Sequence, residues 1–191
     1  MTGRRLLLIR HSQTKQAPEV SSHNWLLTIE GQQRCKALAE KLAPYRLTDI
    51  FTSTEGKAAQ TGKLAAKYLG IRCQTAPDLH EHKRDNVGYF PTVEAFENAV
   101  IDLLRQPDKL VFGQETANQA LARFTGGLVR LIERRPAGNL AVVSHGTVIS
   151  LFVAAYADVD VVEFWMRLGM PALVTFSLPG FSLLEVTDLV R

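Results

Sequence analysis

Arg5-Leu6-Leu7-Leu8-Ile9-Arg10 is a short run in which every residue between two arginines is apolar, and His11-Ser12-Gln13-Thr14 follows at once. A half-buried strand would alternate apolar and polar residues. Consecutive apolar positions instead predict a strand covered on both faces, as in a parallel sheet between helices. Asn139–Val143 (NLAVV) has the same character and runs into Ser144-His145-Gly146-Thr147. Around these two runs, strand and helix patterns alternate. Thr28–Leu42 has helical spacing, with Ile29, Cys35, Ala39 and Leu42 apolar, and Pro44 ends it. Asp49–Thr52 (DIFT) is strand-like, Lys57–Leu69 is helical and closed by Gly70, and Ile71–Thr75 is the next strand.

The polar, turn-rich stretch Asp78–Phe90 predicts an excursion over one end of the sheet. Helices are predicted over Val93–Arg105 and Glu115–Arg134, split by Pro107 and Gly113, and over Thr147–Tyr156. Leu173–Leu178 and Ser182–Val186, separated by Pro179-Gly180, predict a hairpin at the sheet margin. The alternation implies an α/β fold: a three-layer α/β/α sandwich with a mostly parallel central sheet, formed by a single domain over residues 1–191.

Composition narrows the functional classes. The chain has 191 residues, 46% of them apolar and 21% charged, with a formal net charge of +3. A chain of this length buries roughly 70% of its unfolded surface, so it needs no disulfides or structural metal. Charges of both signs are interspersed, and basic and aromatic residues do not interleave, so nothing points to nucleic acid. Two cysteines, Cys35 and Cys73, form no CxxC pair. The apolar run Leu6–Ile9 is too short for a signal-peptide core. Val148–Ala157 falls short of the roughly 20 residues that span a membrane. A cytoplasmic protein with no membrane partner is the expectation.

In open α/β sheets, ligand groups gather beyond the carboxyl ends of the strands. Two apolar strands each deliver a histidine there, His11 and His145, the first directly preceded by Arg10. A lone histidine at a strand end is usually structural; two in equivalent settings point to a shared site.

LIRHSQT resembles the RHG signature of the histidine phosphatase superfamily, also called phosphoglycerate mutase-like. The resemblance spans nearly the whole chain. Leu27–Gln33 (LTIEGQQ) is similar to the family's LTxxGxxQ, Ser53–Thr61 to its SxxxRAxQT, and Leu79-His80-Glu81 to the segment holding its acid. Val143–Gly146 resembles its second histidine motif. The resemblance implies a metal-independent phosphomonoesterase without cofactor, in which His11 takes the phosphoryl group as a phosphohistidine that water then hydrolyses.

The residue types suit that chemistry. An imidazole with an ordinary pKa near 6.5 is a nucleophile at neutral pH without a metal. Phosphoryl transfer is served mainly by positioning and by cationic donors, here Arg10, Lys57 and His145. Glu81 is the candidate general acid, on the condition that the pocket raises its pKa. Candidate substrate contacts are Ser12, Thr14, His23, His82, Arg84 and Gly146, with Lys15 and Lys83 also in reach. The run His80–Asp85 holds two histidines near a carboxylate but lacks the HExxH pattern, and no metal site is expected.

Two departures from the family pattern matter. Lys57 stands where the family has its second arginine, which keeps the charge and loses the bidentate fork. Lys63 or the Lys83-Arg84 pair would then have to supply the missing donors. Ser12 replaces the usual glycine. The stretch Lys15–Trp25 lacks the mutase pattern, so phosphatase is favoured over a phosphoglycerate mutase-type phosphotransferase. Lys57 also admits a rival, a family member that binds a phosphorylated ligand without turning it over. The implied partner is a small phosphorylated substrate of unspecified identity. Its specificity surface is expected from Lys15–Trp25, Glu81–Pro91 and the helices up to Arg134, where Phe90, Phe96, Phe112 and Phe124 could line an apolar pocket. The apolar segment Val161–Leu178 is expected either to close the sheet or to pair two copies as a homodimer.

Overall fold

The computed structural model describes residues 3–190, so the domain expected over 1–191 extends beyond it by residues 1, 2 and 191. Six strands form one sheet: β1 (Arg5–Arg10), β2 (Asp49–Thr52), β3 (Arg72–Thr75), β4 (Leu140–Ser144), β5 (Ala172–Ser177) and β6 (Leu183–Thr187), in the order β3-β2-β4-β1-β5-β6. Strands β3, β2, β4 and β1 run parallel, and β5 is antiparallel to both β1 and β6. The hairpin β5–β6 thus closes one edge. The segment Val161–Leu178 supplies β5 together with a short helix, α6 (Val161–Arg167), that the sequence reading did not resolve.

Five longer helices complete the layers: α1 (Ile29–Leu42), α2 (Gly56–Leu69), α3 (Val93–Arg105), α4 (Ala117–Arg134) and α5 (Gly146–Tyr156). The unbroken apolar run of β1 has a direct cause in the layering. Leu6 and Leu8 face the layer of α3 to α6, against Phe124, Phe152 and Phe164, while Leu7 and Ile9 face α1 and α2, against Leu38, Leu42 and Ala65. All four are fully buried, so truncating any one to Ala would cost about 2–5 kcal/mol.

Local chemistry sets where the helices begin. Thr28 is the N-cap of α1, its side chain accepting from Gly31 N–H at 2.9 Å, rather than its first residue. Thr116 forms a capping box with Gln119, so α4 starts at Ala117 and leaves Glu115 in the preceding loop. Helix α2 begins at Gly56, one residue before the expected start, and Gly70 ends it at a positive φ of 67°. It lies close on the sheet, because a Cβ on Gly62 would sit 2.2 Å from Thr52 Cγ2. Pro44 follows α1 within a short 3-10 turn, Ala43–Tyr45.

Candidate active site

His11 and His145 are far apart in the chain but follow neighbouring parallel strands. Register pairs Arg10 with Ser144, and His11 N–H donates to the Ser144 carbonyl at 2.9 Å. The two imidazoles lie edge to face with centroids 5.2 Å apart. Strand β2 flanks β4 on its other side and ends beside them, Ser53 N–H donating to the Val143 carbonyl at 2.9 Å. Three strand ends therefore deliver His11, His145 and the Ser53–Lys57 turn to one place.

Hydrogen bonds fix how each ring is presented. His11 Nδ1 lies 2.8 Å from the Ser12 carbonyl, an acceptor only, so the proton sits on Nδ1 and the lone pair on Nε2. The Thr14 hydroxyl stands 3.3 Å from the same nitrogen. His145 Nε2 is 2.8 Å from the Ser53 hydroxyl and 3.4 Å from a Glu55 carboxylate oxygen, while its Nδ1 is buried with no partner among the described residues. Burial pushes both imidazoles well below the ordinary value. His145, Lys57 and Arg10 add to the effect on His11, and Lys57 to that on His145. Both rings are neutral at pH 7.

Arg10 Nη1 donates to the Leu168 carbonyl, and its Nε is buried without a partner among the described residues. Gly146 makes room for this guanidinium: a Cβ there would sit 3.0 Å from Arg10 Nε and 3.1 Å from Cζ. Lys57 Nζ donates to the Ser22 carbonyl at 2.8 Å and to the Glu55 carboxylate at 2.5 Å, and both members of that ion pair are buried. The positive charge of Lys57 is thus already partnered inside the protein.

Of the residues that were candidates to supply the missing donors, Lys63 and Lys83 are exposed, and the backbone N–H of Lys83 is spent on Glu115. Arg84 is different. Its charge acts on Arg10, Glu55, Glu81 and His145, its guanidinium lies 5.0 Å over the Phe96 ring, and its Nη1 is buried without a partner among the described residues.

Glu81 overturns a condition of the sequence reading. Burial on its own would raise this carboxyl, but Arg84, His145 and the His82 N–H outweigh it and hold it down to about 2. The carboxylate also accepts from Thr147 N–H at 3.1 Å and Val148 N–H at 3.3 Å, the first turn of α5, where the helix dipole favours an anion. The raised pKa expected of a resting proton donor is absent because Arg84 above all favours the charged carboxylate.

Two expected substrate contacts point elsewhere. The Ser12 hydroxyl is fully buried and donates to the Gly31 carbonyl at 2.7 Å, locking the His11 loop onto α1. His82 is 2% exposed, its Nε2 lies 2.7 Å from the Glu115 carbonyl and its ring packs 4.9 Å from Phe112. Both are struts, because the loops that carry them have backbone acceptors to satisfy. His23 lines a narrow cleft of ≈ 30 Å³ together with Glu55, Glu81 and Arg84. Lys15 is exposed. Among the described residues no group of three or more His, Cys, Asp or Glu could hold a metal ion, and no helix is long and apolar enough to cross a membrane.

Three residues in the site escaped the sequence reading. Ser53 is the fixed first residue of a quoted motif and Glu55 one of its variable positions, and both come to His145 only through strand pairing. Arg123 lies within the predicted helix Glu115–Arg134 and matches no quoted motif. It donates to the carbonyls of Asp78 and His80 at 3.0 Å and of Glu81 at 3.1 Å, and pairs with Glu115 at 2.5 Å, so it holds the loop that carries Glu81.

Comparison with known proteins agrees with this architecture. The structure superposes on YhfR of Bacillus stearothermophilus with a TM-score of 0.78 at 21% identity, over 98% of each chain. It superposes on a mycobacterial glucosyl-3-phosphoglycerate phosphatase with a TM-score of 0.74 at 18% identity, over 99% of each. The uncharacterized phosphatase PhoE of Bacillus subtilis (strain 168) is 22% identical over 134 residues, which are 70% of this chain and 66% of that protein. A family model matches residues 6–178, and by that match the chain belongs to the histidine phosphatase superfamily, branch 1.

Proposed function

We propose that the protein is a phosphomonoesterase that works through a phosphohistidine on His11. The observation that carries this reading is the pair of neutral imidazoles 5.2 Å apart, with His11 Nδ1 tied to the Ser12 carbonyl so that the Nε2 lone pair is the free one. Nε2 attacks phosphorus, the bond from phosphorus to the ester oxygen breaks, and the leaving alkoxide takes a proton. Water then attacks the phosphorus of phosphohistidine, the P–N bond breaks, and inorganic phosphate leaves.

The negative charge of the equatorial oxygens is met by Arg10 through its unpartnered Nε, by Arg84 and by His145 Nδ1. A Ser53 hydroxyl that donates to His145 Nε2 leaves that ring's proton on Nδ1, so a neutral His145 is still a donor. Glu81 supplies the proton to the alkoxide and recovers one from the attacking water. In the free protein it is ionised; a phosphate dianion beside it disfavours the charged carboxylate and lifts its pKa toward the working range. The dianion is thus the trigger that loads the acid.

The test is His11→Ala on a generic aryl phosphate. Hydrolysis should fall by more than about 1,000-fold with the melting temperature retained, and the parent protein should yield an acid-labile phosphohistidine. Retained activity in the variant refutes the mechanism. The Lys57–Glu55 ion pair favours a second reading, in which the site binds phosphate without turning it over. Phosphate affinity without product or phosphohistidine selects it, and a moved phosphate without net phosphate release selects a mutase-type transfer.

A further inference from the structure

The narrow cleft beside Glu81 is not isolated. It shares Ser22, Arg84 and Asp85 with a larger cavity of ≈ 330 Å³, at the lower end of the roughly 300–1,000 Å³ that hold small molecules. The walls of this cavity come from the loop after the nucleophile, from the excursion after β3 and from the start of α3, and they carry four aromatic rings. Trp25 and Tyr89 meet tilted by 59° with ring centroids 6.2 Å apart, and Phe90 lies edge to face 5.5 Å from Phe96.

The polar ends of these rings are spent inside the protein. The Trp25 indole N–H donates to the Ala17 and Val20 carbonyls at 3.0 Å, and the Tyr89 hydroxyl donates to Gln16 Oε1 at 2.6 Å. What they offer a ligand is hydrocarbon. The charged residues of the wall are Glu19, Asp85 and Arg84. Arg84 is shared with the cleft beside Glu81 and on the phosphatase reading is engaged by the phosphoryl group, so the cavity leaves two carboxylates to meet a leaving group.

We infer that the site takes phosphomonoesters of a neutral, apolar, ring-bearing alcohol or phenol, with the phosphoryl group at His11 and the ring between Trp25, Tyr89, Phe90 and Phe96. The inference rests on the phosphatase reading for the position of the phosphoryl group. A second anionic group, such as the carboxylate of a phosphoglycerate or a phosphoserine, meets Glu19 and Asp85 without a partner and is rejected. Arg84 stands at the junction, its guanidinium stacked on Phe96 and its Nη1 buried without a partner among the described residues, which couples ring binding to phosphate binding.

The test compares kcat/KM of the full chain for phenyl phosphate, 1-naphthyl phosphate, 3-phosphoglycerate and O-phosphoserine, with calorimetric binding of 1-naphthyl phosphate and inorganic phosphate to His11→Ala. Naphthyl phosphate should exceed phenyl phosphate by about tenfold, the order expected for one more ring leaving water. The two carboxylated esters should fall about 100-fold below it. Val93→Glu, an exposed change at the first residue of α3, adds a carboxylate to the wall; it should erase the advantage of naphthyl over phenyl phosphate, and a retained advantage of about tenfold overturns the cavity's role. Equal turnover of the aryl and carboxylated esters overturns the substrate class and leaves the phosphatase standing. Absence of turnover, with naphthyl phosphate still binding at least about tenfold tighter than phosphate, overturns hydrolysis and supports the cavity's role. Absence of turnover with equal binding overturns both.

Discussion

Gly146→Ala separates catalysis from stability more cleanly than any charged substitution in this protein. Gly146 is the first residue of α5 and has no positive φ, so alanine fits its backbone, and its higher helix propensity is worth up to about 1 kcal/mol in favour of folding. The added methyl, however, lies 3.0 Å from Arg10 Nε and 3.1 Å from Cζ, where ordinary contact needs about 3.5 Å. The guanidinium has to retreat by roughly half an ångström, and its Nη1 bond to the Leu168 carbonyl restricts where it can go. A full ångström of misplacement costs up to about 100-fold in rate, so half of that predicts about a tenfold loss in kcat/KM.

The assay is steady-state hydrolysis of an aryl phosphate beside a thermal melt, with a melting temperature equal to or above that of the parent. Gly31→Ala serves as the opposite control, because its Cβ would sit 2.2 Å from the Gln13 carbonyl oxygen, which is backbone and cannot yield cheaply. That variant should lose about 1–3 kcal/mol of stability. A Gly146→Ala protein with parental kcat/KM would show that Arg10 does not hold the reacting group and would refute the reasoning.

Lys57→Arg should raise kcat/KM several-fold, because a planar fork can keep the Glu55 partner and still present a second N–H to phosphate; an unchanged rate means Lys57 serves Glu55 alone. Glu81 is ionised in the folded protein down to about 2, whereas an unfolded glutamate titrates near 4.5. A depressed carboxyl stabilises the fold above its unfolded pKa, and that contribution is lost as pH falls through the folded value. The difference corresponds to about 3 kcal/mol disappearing between pH 4.5 and 2. Urea titrations at pH 6 and pH 3 should show that loss shrinking in Glu81→Gln, and an equal loss in both proteins counts against the pairing. For His11 and His145 the sign is the same with a different window: their neutral forms persist below 6.5, while the unfolded rings protonate there, so acid draws the protein toward unfolding. Imidazole NMR shifts of both rings should stay flat from pH 8 to pH 6, and a midpoint near 6.5 for either is the contrary result.

The parallel strands β1 and β4 were legible because burial on both faces leaves no polar position in the run, and the helices because their periodicity and caps are local. The end of α2 at Gly70 was equally legible, since only a residue tolerant of positive φ can stand there. Helix α6 was not, because its seven residues span too few turns for an apolar stripe to show.

What the sequence by itself determined is the set of local and repeating features: strand against helix, the two histidines at strand ends, and the lysine in an arginine's place. Only the tertiary structure decided the partners. Pairing of β2, β4 and β1 brings Ser53 and Glu55 to His145, the start of α5 captures Glu81, Arg84 depresses its pKa, and Arg123 reaches across to hold the Glu81 loop. Charge and hydrogen bonding act through distance in space, and residues that meet this way are separated along the chain by whole strands and helices, so no spacing in the sequence records which of them will touch.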